Sequence, residues 1–121
     1  MSEKNIIIFE TTDPMQNVIY LTTDRFEHIT HGHPEMHGEE NNIKLAVEDP
    51  DNVYKDKDFD TTFCYFKQHN SVILRTYGTN IKVVVDRNLQ GQIKTAYVTN
   101  SNKEKTENVY KKPKAAKEKN T

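Results

Sequence analysis

With 121 residues, 34% of them hydrophobic, and a mean hydropathy of -0.89, the chain is long enough for one domain with a compact core, and no second is expected. Its formal charge of -1 hides a polarised molecule: Lys103 to Thr121 holds seven Lys against three Glu, net +4, which leaves 10 basic and 15 acidic residues, net -5, over positions 1–102. The single cysteine, Cys64, excludes an internal disulfide and fits a reducing, cytoplasmic setting; no apolar run nears the ~20 residues of a membrane span, and Met1 to Asn5 does not resemble the start of a signal peptide.

Ile6 to Phe9 and Val18 to Leu21 are short apolar runs whose β-branched and aromatic content predicts strands, separated by a Thr-Thr-Asp-Pro break. Thr22, Thr23 and Asp24 supply helix N-cap candidates, so a helix is expected from about Asp24 to His31, with Gly32 suited to its C-terminal end and Pro34 stopping it. A second helix is expected from Gly38 or Glu39 to Glu48, with acidic residues at its positive end and Ile43 and Val47 on its apolar stripe. Asp49-Pro50-Asp51-Asn52 then reads as a turn and Val53-Tyr54 as the start of an extended piece.

From there the texture is β. Thr61 to Phe66, Val72 to Tyr77, Ile81 to Val85 and Ile93 to Thr99 predict four antiparallel strands, the last two joined by a loop at Asp86 to Gly91. Helices followed by a run of strands imply an α+β fold, with the helices on one face of the sheet. After Asn100 the pattern dissolves into Lys, Glu, Asn and Thr, which divides the chain into a domain at 1–102 and a Lys-rich disordered tail at 103–121.

Chemistry concentrates at His28, His31, His33 and His37, four of the five histidines within ten residues. The helix-breaking Gly-His-Pro denies them the geometry of paired ligands on one helical face, and no cysteine pair assists, so neither a metal nor a cofactor is expected. As proton-transfer groups they suit RNA cleavage by attack of the 2′-hydroxyl, which needs a base, an acid and a cation near the developing phosphorane charge. Strand alternation places Thr95, Tyr97 and Thr99 on one face, and Lys82 on one face of its own strand with Val84 and Asp86. Cys64, between Thr-Phe and Tyr-Phe, reads as a buried strand residue rather than a nucleophile.

The strings RFEHITHGHPEM, IKLAVEDPDNVYKD, IKVVVDRN and GQIKTAYVTN, in that order from about Val18 to Thr99, resemble phage and mobile-element nuclease domains of the barnase, EndoU, colicin and RelE-like (BECR) group. The resemblance implies two N-terminal helices packed on a curved four-stranded antiparallel sheet, with RNA on the open face. It also implies a metal-independent endoribonuclease, a toxin or phage effector, with His28, His33, Lys82, Thr95 and Thr99 as catalytic residues and Tyr97 in contact with RNA. Gly32 stands where the pattern has a basic residue, and Arg25 or Arg75 would then supply the RNA-binding charge, or His31 would replace it. A catalytically weak or inactive RNA- or protein-binding module on the same scaffold is the alternative. The partners implied are RNA and a cognate inhibitor or immunity protein, with no membrane.

Overall fold

Two aliphatic strands with opposite alternation set the middle of the molecule. The computed structural model describes residues 5–113. In it β5 (Asn80–Asp86) buries Ile81, Val83 and Val85 on one face, and β6 (Gln92–Thr99) buries Ile93, Ala96 and Val98. Beside them β4 (Thr62–Gln68) is buried continuously from Thr62 to Phe66, the signature of a strand covered on both faces. These three pair antiparallel, Tyr65 opposite Val83 and Val83 opposite Ala96.

Four more strands extend this centre. β1 (Ile7–Thr12) and β2 (Val18–Thr22) form a hairpin; β3 (Asn52–Lys55) pairs with β4, and β7 (Asn108–Lys111) pairs with β3. The sheet order is β1-β2-β6-β5-β4-β3-β7, and only β2 against β6 is parallel. That parallel seam is narrow: Tyr20 opposite Gln92, with the Tyr20 amide donating to the Gly91 carbonyl at 3.0 Å. Gly91 sits at φ +85, and a Cβ there would lie 1.9 Å from the Val18 carbonyl oxygen, so no other residue fits this approach.

Helices α1 (Thr23–Gly32) and α2 (Glu40–Glu48) cover one face of the sheet, where Ile29, Met36, Ile43, Ala46 and Val47 join Val83, Val85 and Ala96 in one core. Capping explains where α1 begins, because the Thr22 hydroxyl accepts the Arg25 amide at 3.2 Å. Its end is tied by the His33 amide donating to Ile29 at 2.7 Å, and Pro34 opens a short 3-10 turn that buries Met36. The opposite face is crossed by the segment between β6 and β7: Asn52 donates to the Asn102 carbonyl at 3.2 Å, and the Lys55 amide to the Glu107 carbonyl at 2.9 Å.

One buried network locks the hairpin onto the rest. Asp13, 3% exposed in the β1–β2 turn, accepts the amides of Met15 and Asn17 at 2.9 and 2.8 Å. Its other oxygen accepts the Tyr65 phenol from β4 and lies 3.7 Å from Arg87 Nη2, whose guanidinium stacks 3.6 Å above the Phe63 ring. Burial raises the Tyr65 phenol well above its usual range, so it stays a neutral donor to Asp13.

Several expectations are corrected. The sheet has seven strands rather than four, it is mixed rather than antiparallel, and the helices are not N-terminal, because the two strands expected ahead of them form a hairpin that joins the sheet. The resemblance to a four-stranded BECR scaffold therefore does not describe the architecture. Val72 to Tyr77 is no strand: the Ser71 hydroxyl accepts the Leu74 amide at 3.1 Å and turns the chain into a 3-10 turn (Leu74–Thr76). Within the segment read as a tail, Asn108–Lys111 is the outermost strand, held by its ladder to β3. The disorder expected for positions 114–121 lies outside the described residues.

Two outcomes follow from these ties. Tyr65→Phe leaves Asp13 buried without its phenolic donor and should cost about 1–3 kcal/mol in a urea denaturation series. Asp49, after α2, accepts Lys67 Nζ at 3.0 Å and Lys112 Nζ at 2.9 Å. Burial opposes charge on its carboxyl, but the two ammonium bonds outweigh it and hold the pKa below the ordinary carboxylate value. A lowered folded-state pKa gives stability that is present above the unfolded value of about 3.9 and is lost as pH falls through the folded value. Asp49→Asn should accordingly flatten the loss of thermal stability below about pH 4, read as melting temperature against pH.

Candidate functional site

The residues expected to act together fall into two groups. At the free end of β6, beyond the short seam with β2, the chain leaving α1 passes close enough for His33 to lie on Tyr97. The two rings stack with centroids 4.9 Å apart and planes 21° from parallel. His33 is half-buried, and its Nδ1 lies 3.8 Å from Glu35 Oε2. Register puts Lys82 directly opposite Tyr97, and its Nζ sits 5.5 Å from that ring's centroid and 5.6 Å from that of Phe66. Thr95 and Thr99 share the face, opposite Val84 and Asn80. The Thr99 hydroxyl accepts the Ser101 amide at 3.2 Å, where the chain turns back across the sheet.

That returning segment brings a group the sequence does not announce. Glu104 Oε2 lies 2.6 Å from Lys82 Nζ, the two side chains 29% and 16% exposed. Burial alone would depress the Lys82 pKa, but its bonds to Glu104 and Tyr97 prevail, and the ammonium is held above the ordinary lysine range. The cation on this face is therefore permanently charged and already paired. Glu104 carries no local signature, being one of three Glu among the seven Lys of a segment whose composition suggests a solvated tail.

The other expected residues are elsewhere. His28 is exposed on α1 and lines an open surface cleft with Asp24, Arg25, Glu27 and His31. Arg25 is half-buried there, and its Nε is enclosed without a hydrogen-bond partner among the described residues. Arg75 stands exposed on the 3-10 turn between β4 and β5, and its side chain makes no hydrogen bond or ion pair among the described residues. His37 is exposed too, and Gly32 closes α1 with open space where its Cβ would be. Among the described residues no group of three or more His, Cys, Asp or Glu side chains is placed to hold a metal ion.

Chemically, the first group offers an aromatic platform with a partly exposed imidazole, hydroxyls along one strand and a cation held beside them. It can stack a planar ring and donate hydrogen bonds. For proton transfer the platform offers the His33 imidazole, with the Glu35 carboxylate 3.8 Å from its Nδ1. No family model matches the chain, and no curated protein or solved structure matches it either.

Cys64 lies on the same face of the sheet, 1% exposed, and burial pushes its thiol up to about 11. In the folded protein it should react with a disulfide reagent at mildly alkaline pH at least about a hundredfold more slowly than in denaturant, measured by thiolate release.

Proposed function

We propose that this chain is a single-stranded RNA-binding module that seats a base against the His33–Tyr97 platform, with little or no cleavage. The observation that carries the reading is the stack itself: a half-buried imidazole on a tyrosine of β6 beyond its short seam with β2, with Lys82 5.5 Å from the ring centroid. Base stacking on such side chains contributes about 1–3 kcal/mol per base and tolerates any sequence, because every base has a π-face. Thr95 and Thr99 line the same strand face and can donate to phosphate or ribose oxygens.

Binding is favoured over catalysis because the cleavage chemistry lacks its set of groups. His28 lines a separate cleft, and the Lys82 charge is committed to Glu104. Gly32 supplies no cation beside the platform, and positions 1–102 carry a net of -5, which lowers non-specific attraction for a polyanion. The second reading, a metal-independent endoribonuclease, draws on the His33–Glu35 pair, since a carboxylate near an imidazole can orient it for proton transfer. A cognate inhibitor or immunity protein belongs to that second reading only. An RNA partner and one unpaired thiol fit a cytoplasmic setting; no helix among the described residues is long and apolar enough to cross a membrane.

Fluorescence anisotropy with a short labelled single-stranded RNA at low salt tests the proposal. Tyr97→Ala should weaken binding roughly 5- to 150-fold, the equivalent of about 1–3 kcal/mol. Gly32→Arg, which meets no neighbour, should tighten it and steepen the logarithmic salt dependence by about one unit. EDTA-treated protein should leave the RNA intact. Products ending in cyclic phosphate that disappear in His33→Ala would establish the ribonuclease instead, and no binding by the wild type would remove both readings.

A further inference from the structure

The connection between β4 and β5 is built rigidly and yet exposes its apolar residues. Val72 is 78% exposed, Ile73 76% and Tyr77 54%, while Leu74 between them is completely buried as the anchor. The buried His69 spans the base of the turn: its Nε2 bonds the Gly78 carbonyl at 2.8 Å and its Nδ1 accepts the Ser71 amide at 3.1 Å. These partners assign the proton to Nε2. The Tyr77 amide donates to Leu74 at 2.9 Å, and Gly78 packs so close to β6 that a Cβ there would lie 2.7 Å from the Thr99 carbonyl. A turn tied at this many points holds its shape without its exposed side chains, so their apolar character is not needed for folding. Large apolar side chains gathered at one exposed place mark an interaction surface.

Charge at this end of the sheet indicates the partner. Register brings the ends of β4, β6 and β7 and the starts of β3 and β5 together here. Lys67 and Lys112 both bond Asp49, at 3.0 and 2.9 Å, while Lys111 at the end of β7 and Arg75 on the turn stand exposed. We propose that this end of the molecule docks on an anionic lipid surface, with Val72, Ile73 and Tyr77 entering the headgroup region and Arg75 and Lys111 drawn to acidic headgroups. Apolar insertion combined with a basic cluster is the two-signal pattern that holds peripheral proteins on the anionic cytoplasmic leaflet. Aliphatic tips on a projecting turn suit a fluid apolar layer. Valine and isoleucine, its two most exposed apolar residues, have no ring to stack on a base, and Tyr77 stands there without a second ring stacked on it among the described residues.

The test is co-sedimentation of the full chain with vesicles of phosphatidylcholine alone and of phosphatidylcholine mixed with phosphatidylserine. The wild type should pellet with the mixed vesicles and far less with the neutral ones. The Val72→Glu, Ile73→Glu double variant, both positions being exposed, should keep its thermal melt and lose more than about tenfold in vesicle affinity. Replacing Arg75 and Lys111 by Gln should cost about fivefold per charge. The chain contains no tryptophan, so Ile73→Trp adds a single reporter whose emission should shift to the blue with mixed vesicles. Tyr97→Ala should bind vesicles as the wild type does, which keeps this result separate from RNA binding. Failure to pellet, or pelleting that the double variant retains, overturns the proposal. So does concentration-dependent self-association abolished by the double variant, which would make the partner a second copy, or a loss of RNA affinity in that variant.

Discussion

Burying the carboxylate of Asp13 is the constraint on which the rest of the structure depends. An ionised carboxylate taken from water costs several kcal/mol unless donors replace its hydration. Here they come from its own turn, from Tyr65 on β4 and from the charge of Arg87 after β5. Since the ladder that joins the hairpin to the rest among the described residues is the short β2–β6 seam, these bonds fix where β2 lies. That position sets the start of α1, and α1 carries the chain to His33. The stack of His33 on Tyr97 is thus a distant consequence of a turn whose residues never touch it.

The second face of the sheet shows how a surface can be occupied by the chain's own charge. Phe66, Cys64 and Thr62 are covered there rather than open, and Glu104 meets Lys82 beneath the crossing segment. A face expected to lie open to RNA is in large part internal, and what remains accessible is its edge, where Tyr97 meets His33. The proposed reading, recognition by stacking rather than cleavage in a charged groove, rests on that edge. The exposed turn between β4 and β5 lies at the end of the same strands and presents a different chemistry, led by the aliphatic Val72 and Ile73.

Local rules made the helices readable. The Thr22 cap, Gly32 and Pro34 predicted a helix over Asp24 to His31, and α1 spans Thr23–Gly32; Ile43 and Val47 marked the buried stripe of α2. The density of β-branched and aromatic residues likewise marked β4, β5 and β6. The order of the sheet was not legible, because the parallel β2–β6 contact depends on Gly91 approaching Val18 across a large sequence separation. Val72 to Tyr77 has strand composition, and only the Ser71 cap and the close packing of Gly78 make it a turn. β7 offered a single apolar pair, Val109-Tyr110, among lysines, and its pairing with β3 rests on backbone hydrogen bonds that composition does not reveal. Of the site that the resemblance implied, His33, Tyr97 and Lys82 are neighbours, and His28 is not among them. Glu104, Glu35 and the Asp13 network gave no sequence signal, since each acquires its role only through a partner brought by the fold.

The central claim, that the accessible function of this domain resides where His33 lies on Tyr97, is tested most directly by following side-chain resonances during an RNA titration. Two-dimensional NMR of the imidazole and tyrosine rings with a short single-stranded RNA should show His33 and Tyr97 shifting together and saturating at one RNA concentration, with His28 and His31 unmoved. Shifts centred on His28 and His31 with His33 unchanged would contradict the account.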